Sequence, residues 1–599
     1  MRIGADTGGT FSDLVDDRGN VTKVLSTPDA PDAAVREGID VLMAGRPALL
    51  AHGTTVATNA VLEGRLARTA LVTTHGLADV IEIGRQDRPS LYDQFADRPL
   101  PLVPRELRFE VGGRLAADGA ELVPVDVSSL PDLPDDVEAV AVCLLHADLD
   151  PAHEQAIVDA LRERGMDVVA SHEVSPEFRE YERTVTTVVN AGLRPRCRRY
   201  LHRLRDLADE VSVMTSAGGL LDASTAADLP AALLLSGPAG GVRAAASVAV
   251  ANGWPDAITF DMGGTSTDVC LVRGGEPAFA TTRDVGGYPV RFPALDIHTI
   301  GAGGGSIARI DPGGALVVGP ASAGADPGPS CYGRGGTSPT VTDANLVAGR
   351  IPADASFGGL ELDAEAAQTA LASAGVDAAG VLQVVDANME RALRAVSVER
   401  GVDPGGLALV AFGGAGPLHA CSLAEAMGIP VVIVPARAGV LSAVGLLSAP
   451  PRREVVRSRP DPGDLSGLAA DLEAVAEAAR ALHRGSEPAT VTTAVDCRYV
   501  GQSHELTVDD IDGFHVEHER RNGFARPDAP VEVVAVRATL LRRPALELSD
   551  LPVPEHRASF EPLVGPQVVA EPDCTIWLAE GWRADPGEAG ALVLRREGS

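Results

Sequence analysis

Residues 6–13 read DTGGTFSD, and residues 261–268 read DMGGTSTD. Each copy follows a short apolar run, RIGA in the first case and AITF in the second, and each leads into another, FSDLV and STDVCLV. Extended runs on both sides of a Gly-Gly pair predict a tight β-hairpin twice over, with glycine admitting the positive φ such a turn can need. The hairpin tips are then nearly bare backbone. Amides of Gly8, Gly9 and Thr10, and of Gly263, Gly264 and Thr265, are placed to meet phosphate oxygens, with the Thr hydroxyls as further donors. Thr7 and Ser266 complete the expected nucleotide-binding set. Asp6 and Asp261 fall where strand meets turn, where a carboxylate can hold Mg²⁺ through water and so neutralise the phosphates. These two are the expected metal ligands and, with Thr10 and Thr265, the expected catalytic groups. Asp13 and Asp268, on the second strands, are expected to bond turn amides. A lone DxGGT is readily a recurrent turn; two copies in register point instead to a duplicated phosphate-gripping device.

Composition narrows the ligand and the partners. A chain of 599 residues predicts about three to four domains. With 45% hydrophobic and 22% charged residues it reads as an ordinary folded protein. There are 83 Asp and Glu against 51 Lys and Arg, a net charge of -32, which argues against nucleic acid and anionic membranes as partners. A nucleotide would need a metal ion and aimed amides to offset that field. Lys23 is the only lysine, so the P-loop signature GxxxxGK[ST] cannot occur. The seven cysteines never form CxxC and are odd in number, which predicts reduced, buried thiols. The N-terminal MRIGADTGGT has no signal-peptide core, and no uncharged apolar stretch reaches the ~18 residues of a membrane span; cytoplasm is the expected compartment.

A third glycine cluster lies in LALVAFGGAGPLHA, residues 407–420. An apolar strand running through GGAG into a helix start lets backbone approach a ligand, so Gly413, Gly414 and Gly416 join the nucleotide-binding candidates. Tight strand-to-helix packing would use the same glycines.

Two phosphate hairpins followed by such a loop resemble the actin, sugar-kinase and heat-shock-chaperone superfold. The resemblance narrows further with AHGTTVATNAVLEG (51–64), GRQDRPSLYD (84–93), SPEFREYERTVTTVVNAGL (175–193), LSGPAGGV (235–242), DIHTIGAGGGSIA (296–308), YGRGGTSPTVTDANLVAGR (332–350) and RAVSVERGVDP (394–404). These segments resemble the hydantoinase/oxoprolinase family, specifically the ATP-binding subunit of N-methylhydantoinase A type, whose relatives include ketone carboxylase subunits. The resemblance is continuous to about residue 450 and weaker afterwards, where CRYVGQSHEL (497–506) and GPQVVAEPDCTIWLAEGW (565–582) still carry it.

The resemblance implies an α/β fold of two ribonuclease-H-like lobes with an ATP cleft between them, plus a smaller strand-rich C-terminal domain. The expected divisions are 1–185, 186–455 and 456–599, the last set by the Pro- and charge-rich PPRREVVRSRPDPGD (450–464). Asp150 and Pro151 predict the start of a helix. Another opens at Ser175 and Pro176, carries Phe178, Tyr181, Val185, Val188 and Val189 on one stripe, and is expected to cross between the lobes.

For activity, the resemblance implies ATP and Mg²⁺ as cofactors and a cyclic amide (a hydantoin, lactam or oxoproline-like ring) as acceptor. It further implies that ATP phosphorylates the carbonyl oxygen and that a separate B-type partner subunit in a hetero-oligomer opens the ring. Acceptor-pocket candidates are His52, Thr54, Thr55, Asn59 and Arg85. Asp296 and His298, two apart in DIHTI and hence on one strand face, are candidates for a metal site or a poised base, or else a buried hydrogen-bonded pair. His515 and His518 read as surface residues. Two other readings stand beside this one: the ATP-binding subunit of a ketone carboxylase, which would form an enol phosphate and require bicarbonate, and a non-catalytic nucleotide-binding module.

Overall fold

The computed structural model describes the chain except residues 10, 28–29, 358–359, 484–486 and 598–599, so the roles expected of Thr10 lie outside the described residues. Both octads form hairpins. Arg2–Thr7 pairs antiparallel with Phe11–Asp16, and Ala257–Met262 pairs antiparallel with Thr267–Arg273. Each hairpin seeds a sheet of the same topology. In the first, Val21–Leu25 flanks the hairpin on one side; Leu49–Thr54 and then Glu210–Met214 run parallel on the other. In the second, Glu276–Pro277 flanks one side, while Ala408–Phe412 and Val431–Val434 run parallel on the other. This antiparallel meander continued by parallel strands is the order expected of a ribonuclease-H-like lobe, present twice.

The boundaries differ from those expected. Glu210–Met214 and Leu220–Asp222 lie beyond residue 185 yet belong to the first sheet, because a helix must return the chain before the fifth strand can add in parallel. The first lobe also carries a second, parallel sheet of Thr69–Thr74, Arg108–Val111, Ala139–Cys143 and Val168–Ala170. Runs such as AVAVC, buried at every position, are what a parallel strand covered on both faces requires.

The helix expected near Asp150 is present at Ala152–Glu163, with the Asp150 carboxylate accepting from the Ala152 amide at 2.9 Å. The helix expected to cross between lobes, Glu180–Arg205, packs mainly against first-lobe sheets, with Val185, Val188 and Val189 buried there, and also against the later strand Tyr288–Val290. The crossing is made by Ala239–Ala251 and Leu441–Ser448, which pack on each other. They approach so closely that a Cβ on Gly445 would lie 1.9 Å from the Gly240 carbonyl oxygen, and one on Gly4 would lie 2.2 Å from that of Ala443.

The C-terminal region is two structures, not one. Arg452–Ser458, Ala489–Tyr499, Leu506–Val508 and Val531–Arg542 form an antiparallel sheet backed by Leu468–Ala481. The expected boundary at 455 falls inside its first strand. Leu563–Val564, Trp582–Pro586 and Leu592–Arg596 then return to extend the second-lobe sheet. His518 is buried rather than superficial, its Nδ1 bonded to the Phe524 carbonyl at 2.8 Å and its ring edge-on to Tyr499 and Phe514. All seven cysteines are free and buried. Among the described residues no single helix is long and apolar enough to cross a membrane.

Buried charge ties the small sheet to the first lobe. The Arg537 guanidinium meets Asp496 at 2.8 Å, Glu454 at 3.0 Å and Glu177 at 2.9 Å, and Arg291 bridges Glu177 at 2.7 Å and Glu505 at 2.8 Å. Such a network is fully satisfied only as a unit, so removing one member strands buried carboxylates. Arg537→Ala is expected to destabilise the protein by about 3–5 kcal/mol. Urea unfolding followed by tryptophan fluorescence checks this; an unchanged midpoint would show that the network contributes nothing.

Candidate active site

The register of both hairpins puts two aspartates face to face. Asp6 is directly opposite Asp13, and Asp261 directly opposite Asp268. Opposed residues of an antiparallel pair share a sheet face with Cβ atoms about 5 Å apart, and like charges there repel. The two pairs also meet across the lobes. The Asp261 carboxyl is held well above the usual carboxylate range by desolvation, then by Asp268, Asp6 and Asp13, with Lys23 opposing. Asp6 is pushed up to about 7 by desolvation and Asp13, and Asp268 to about 6 by desolvation. Asp13 is also raised by desolvation, despite its 2.8 Å ion pair with Lys23. The only lysine closes the gap between lobes, since its Nζ also donates to the second-lobe Gly439 carbonyl at 3.1 Å.

Neither Asp13 nor Asp268 bonds a turn amide as expected. Asp13 takes Lys23, and Asp268 accepts from the Thr299 hydroxyl. The turns close themselves: the Gly8 amide donates to Phe11 at 3.0 Å, and the Gly263 amide to Ser266 at 3.1 Å. Those two amides are therefore not available to a ligand. The amides of Gly9, Gly264 and Thr265 make no hydrogen bond among the described residues.

Why glycine is required at these tips differs from the sequence-based reason. None of Gly8, Gly9, Gly263 or Gly264 has a positive φ. Chain neighbours aside, a Cβ on Gly9 or Gly264 would meet no atom of the described residues within 4 Å, and one on Gly8 would be 3.4 Å from its nearest neighbour. Neither conformation nor packing within the chain calls for glycine there. Bare backbone over open space, with free amides, is a cradle for an incoming group.

The third loop divides between two roles. Gly413 has φ +80°, and a Cβ on it would lie 2.3 Å from Asp261 Oδ1. Gly416 begins the buried helix Gly416–Met427 against Phe260. Gly414 alone is exposed with open space above it. A counterpart that sequence reading missed stands in the first lobe: a Cβ on Gly53 would lie 2.6 Å from Asp6 Oδ1. Both lobes thus clear the fourth strand so that the hairpin aspartate can lie over it. The signal was the GT of AHGTT, read only for its polar side chains. Also missed were Gly304 and Gly305, whose amides support the second tip by donating to Gly263 and Gly264 at 2.9 and 2.7 Å, and Asp573, whose charge reaches Asp13.

Of the acceptor-pocket candidates, Thr55 and Asn59 line a cavity of about 370 Å³ together with Thr7, Gly8 and Gly9. Thr54 is buried beneath, its hydroxyl accepting from the Val56 amide at 3.2 Å. His52 is a fully buried neutral imidazole, bonded to the Ala5 carbonyl at 2.9 Å and the Tyr200 hydroxyl at 2.6 Å, with its pKa pushed down to about 4 by desolvation. Both its nitrogens are occupied, so it supports the strand rather than a substrate. Arg85 is committed to Glu182, its Nε donating at 2.8 Å.

Asp296 and His298 do not join the site either. Asp296 is ion-paired with Arg400, and no hydrogen bond links it to His298. Thr299, opposite Asp268, shares the carboxylate face, so the alternation of the strand turns His298 to the other face.

Four mutually repelling carboxylates facing one lysine suit a hard divalent cation with oxygen ligands, as Mg²⁺ is. The structure predicts a pH signature. A carboxyl whose pKa is higher folded than unfolded binds more protons in the native state, so its stability cost is absent below about pH 4 and full above its folded pKa. With Asp6 near 7 and Asp268 near 6, the metal-free protein is expected to melt higher at pH 6 than at pH 8. Affinity for Mg²⁺ with ATP should run the other way, weakening as pH falls from 8 to 6, because bound protons must leave first. Calorimetric titration at pH 6, 7 and 8 measures this, and equal affinities would remove these aspartates as ligands.

The model of the hydantoinase/oxoprolinase N-terminal region matches residues 2–165, and the hydantoinase/oxoprolinase model matches residues 183–455. The caprolactamase subunit alpha of Pseudomonas jessenii is 36% identical, over 92% of this chain and 88% of that subunit. The acetophenone carboxylase gamma subunit of Aromatoleum aromaticum is 34% identical, over 74% of this chain and 67% of that one. The crystal structure of the ATP-dependent caprolactamase from Pseudomonas jessenii superposes with a TM-score of 0.84 at 32% identity, covering 100% of both chains.

Proposed function

The chain belongs to the hydantoinase/oxoprolinase family, and from that membership we propose that it is the ATP-dependent subunit of a cyclic-amide hydrolase. The observation that carries the reading is the pair of glycine hairpins whose aspartates, Asp6 and Asp261, interact across the two lobes. Asp6 and Asp261 would hold Mg²⁺, with Asp13 and Asp268 behind them. Bound there, the ion would neutralise charge on the transferring phosphoryl group. The amides of Gly9, Gly264, Thr265 and Gly414 would bind phosphate oxygens, and the fixed tips would keep the reacting atoms in line. The acceptor's carbonyl oxygen attacks the terminal phosphorus as the bond to ADP breaks, turning a poor leaving oxygen into phosphate. Water then opens the ring on a partner subunit.

The partner is supported by the relatives' names, which are those of subunits, and by one surface feature. Leu91, Tyr92, Phe95 and Leu100 sit within ten residues of one loop and are 78%, 98%, 82% and 83% exposed. Exposed apolar groups at that density mark an interaction surface that a second subunit would cover. A second reading, the ATP-binding subunit of a ketone carboxylase, is favoured by the likeness to the acetophenone carboxylase gamma subunit.

The test is ADP release by the purified chain with and without its B-type partner, against hydantoins, lactams and ketones, each with and without bicarbonate. Little turnover alone and stimulation by one cyclic amide is expected. Bicarbonate-dependent stimulation by a ketone selects the second reading, and no stimulation by any compound overturns both.

A further inference from the structure

Residues 565–582, GPQVVAEPDCTIWLAEGW, contain a hairpin whose tip lies where the two lobes meet. Gln567–Ala570 pairs antiparallel with Thr575–Leu578, so Glu571–Cys574 is the turn, closed by the Glu571 amide donating to the Cys574 carbonyl at 3.0 Å. Buried Arg557 fastens this tip. Its guanidinium donates to the Glu571 carboxylate at 2.7 Å and to the Val434 and Pro435 carbonyls at 3.3 and 3.4 Å, holding the tip against the end of strand Val431–Val434.

Asp573 is the group the tip presents. Its Oδ2 accepts from the Gly439 amide at 2.7 Å, and a Cβ on Gly439 would lie 1.9 Å from the Asp573 carbonyl oxygen, so the two backbones touch without slack. Gly439 belongs to the 3-10 turn Ala438–Val440, which runs directly into the crossing helix Leu441–Ser448. The first amides of a helix lack internal partners, and the helix dipole favours a carboxylate beside them. Asp573 thus caps, from 134 residues away, a helix that joins the lobes.

Three further contacts make the Ala438–Gly439 turn a junction between the two aspartate pairs. The Ala438 carbonyl accepts from the Gly413 amide at 2.9 Å, and Gly413 is the residue over which Asp261 Oδ1 lies. The Gly439 carbonyl accepts from Lys23 Nζ at 3.1 Å, and Lys23 holds Asp13 at 2.8 Å. The helix that follows lies against the first strand, where Gly4 meets the Ala443 carbonyl two residues before Asp6. A shift of this turn therefore changes the separation of the carboxylates on the two hairpins. Separation decides ion choice. Mg²⁺ demands near-octahedral oxygens at about 2.1 Å, whereas Ca²⁺ accepts irregular shells at about 2.4 Å, so hairpins held at a fixed spacing can favour the smaller ion and loosened ones cannot.

We infer that Asp573, acting through the Gly439 turn, is a positioning residue that fixes the spacing of the two hairpins and so selects Mg²⁺ over larger divalent ions. The inference rests on the proposed role of Asp6 and Asp261 as cation ligands, and it holds whichever acceptor is used.

The experiment titrates the full chain calorimetrically with ATP in Mg²⁺ and in Ca²⁺ and takes the ratio of the two affinities, which cancels any change of charge felt by both ions alike. In Asp573→Ala the preference for Mg²⁺ is expected to fall by about tenfold or more. Lys23, the only lysine, should also be acylated faster in the metal-free variant, followed by peptide mass spectrometry, because its Gly439 partner has moved. Asp573→Asn keeps an oxygen that can accept the same bond, so its preference should stay within about threefold of that of the unaltered protein. Should Asp573→Ala not fold, Lys23→Met releases the same turn from the first lobe and is expected to cost about fivefold of the preference. An unchanged preference in Asp573→Ala, or in Lys23→Met where that variant stands in for it, overturns the inference and leaves the cation role standing. A loss in Asp573→Asn equal to that in Asp573→Ala shows that Asp573 acts by its charge rather than by holding the turn, and overturns it too. If Asp261→Asn binds ATP with either ion as tightly as the unaltered protein does, the cation role falls and takes this inference with it.

Discussion

Asp261→Asn is expected to lower acceptor-dependent ATP turnover by about a thousandfold or more, while raising the melting temperature of the metal-free protein. The two effects share a cause. Asp261 is the carboxylate most burdened by its neighbours, facing Asp268 in register and feeling Asp6 and Asp13 across the lobes. An amide of the same shape removes that repulsion and keeps the packing, so the fold gains. It also removes the charge that anchors a cation between the hairpins, so turnover is lost. Steady-state ADP release and a thermal melt in chelator, run on the same preparation, check both. A variant that keeps activity would overturn the metal-anchor role. One that loses activity while melting lower would show that the carboxylate stabilises the resting fold instead.

Gly264→Val and Gly9→Val are expected to weaken ATP binding by at least about a hundredfold, with melting temperatures close to that of the unaltered protein. Beyond its chain neighbours, a Cβ at either tip meets no atom of the described residues within 4 Å, and the backbone is not left-handed, so folding tolerates it. A ligand approaching the backbone does not. Gly413→Val gives the contrast: φ is +80° and its Cβ would lie 2.3 Å from Asp261 Oδ1, so this substitution should destabilise the protein as well. Calorimetric ATP titrations with parallel melts separate the cases. Undiminished ATP affinity in Gly264→Val would mean that the open space above the tip is not a phosphate cradle.

The hairpins were legible because their determinants are local. Alternating apolar runs and a Gly-Gly pair set strand, turn and strand within eight residues, and the repetition at 261–268 disclosed the second lobe. The proposal that Asp6 and Asp261 hold a cation starts from their place at the strand ends, which is also local. Asp13 and Asp268 were misassigned to turn amides, because register, not sequence spacing, sets them opposite Asp6 and Asp261. His52 reads from sequence as a pocket residue, but its two nitrogens are spent on Ala5 and Tyr200, the latter 148 residues away. Asp296 and His298 read as neighbours on one strand face, but the strand Ile297–Ile300 begins after Asp296, and its alternation turns His298 away from the cluster.

Sequence by itself determined the class of the molecule: twin phosphate-type hairpins, a glycine loop before a helix, the absence of a P-loop and an acidic surface. Each of these is fixed by residues adjacent in the chain, where backbone geometry alone relates them. Only the tertiary structure decided which carboxylates share one field, that Lys23 bridges the lobes, and that the last strands rejoin the second sheet. Charge acts through space and is screened by distance and water, so its effect depends on which distant segments folding brings within a few ångströms, and no local pattern records that.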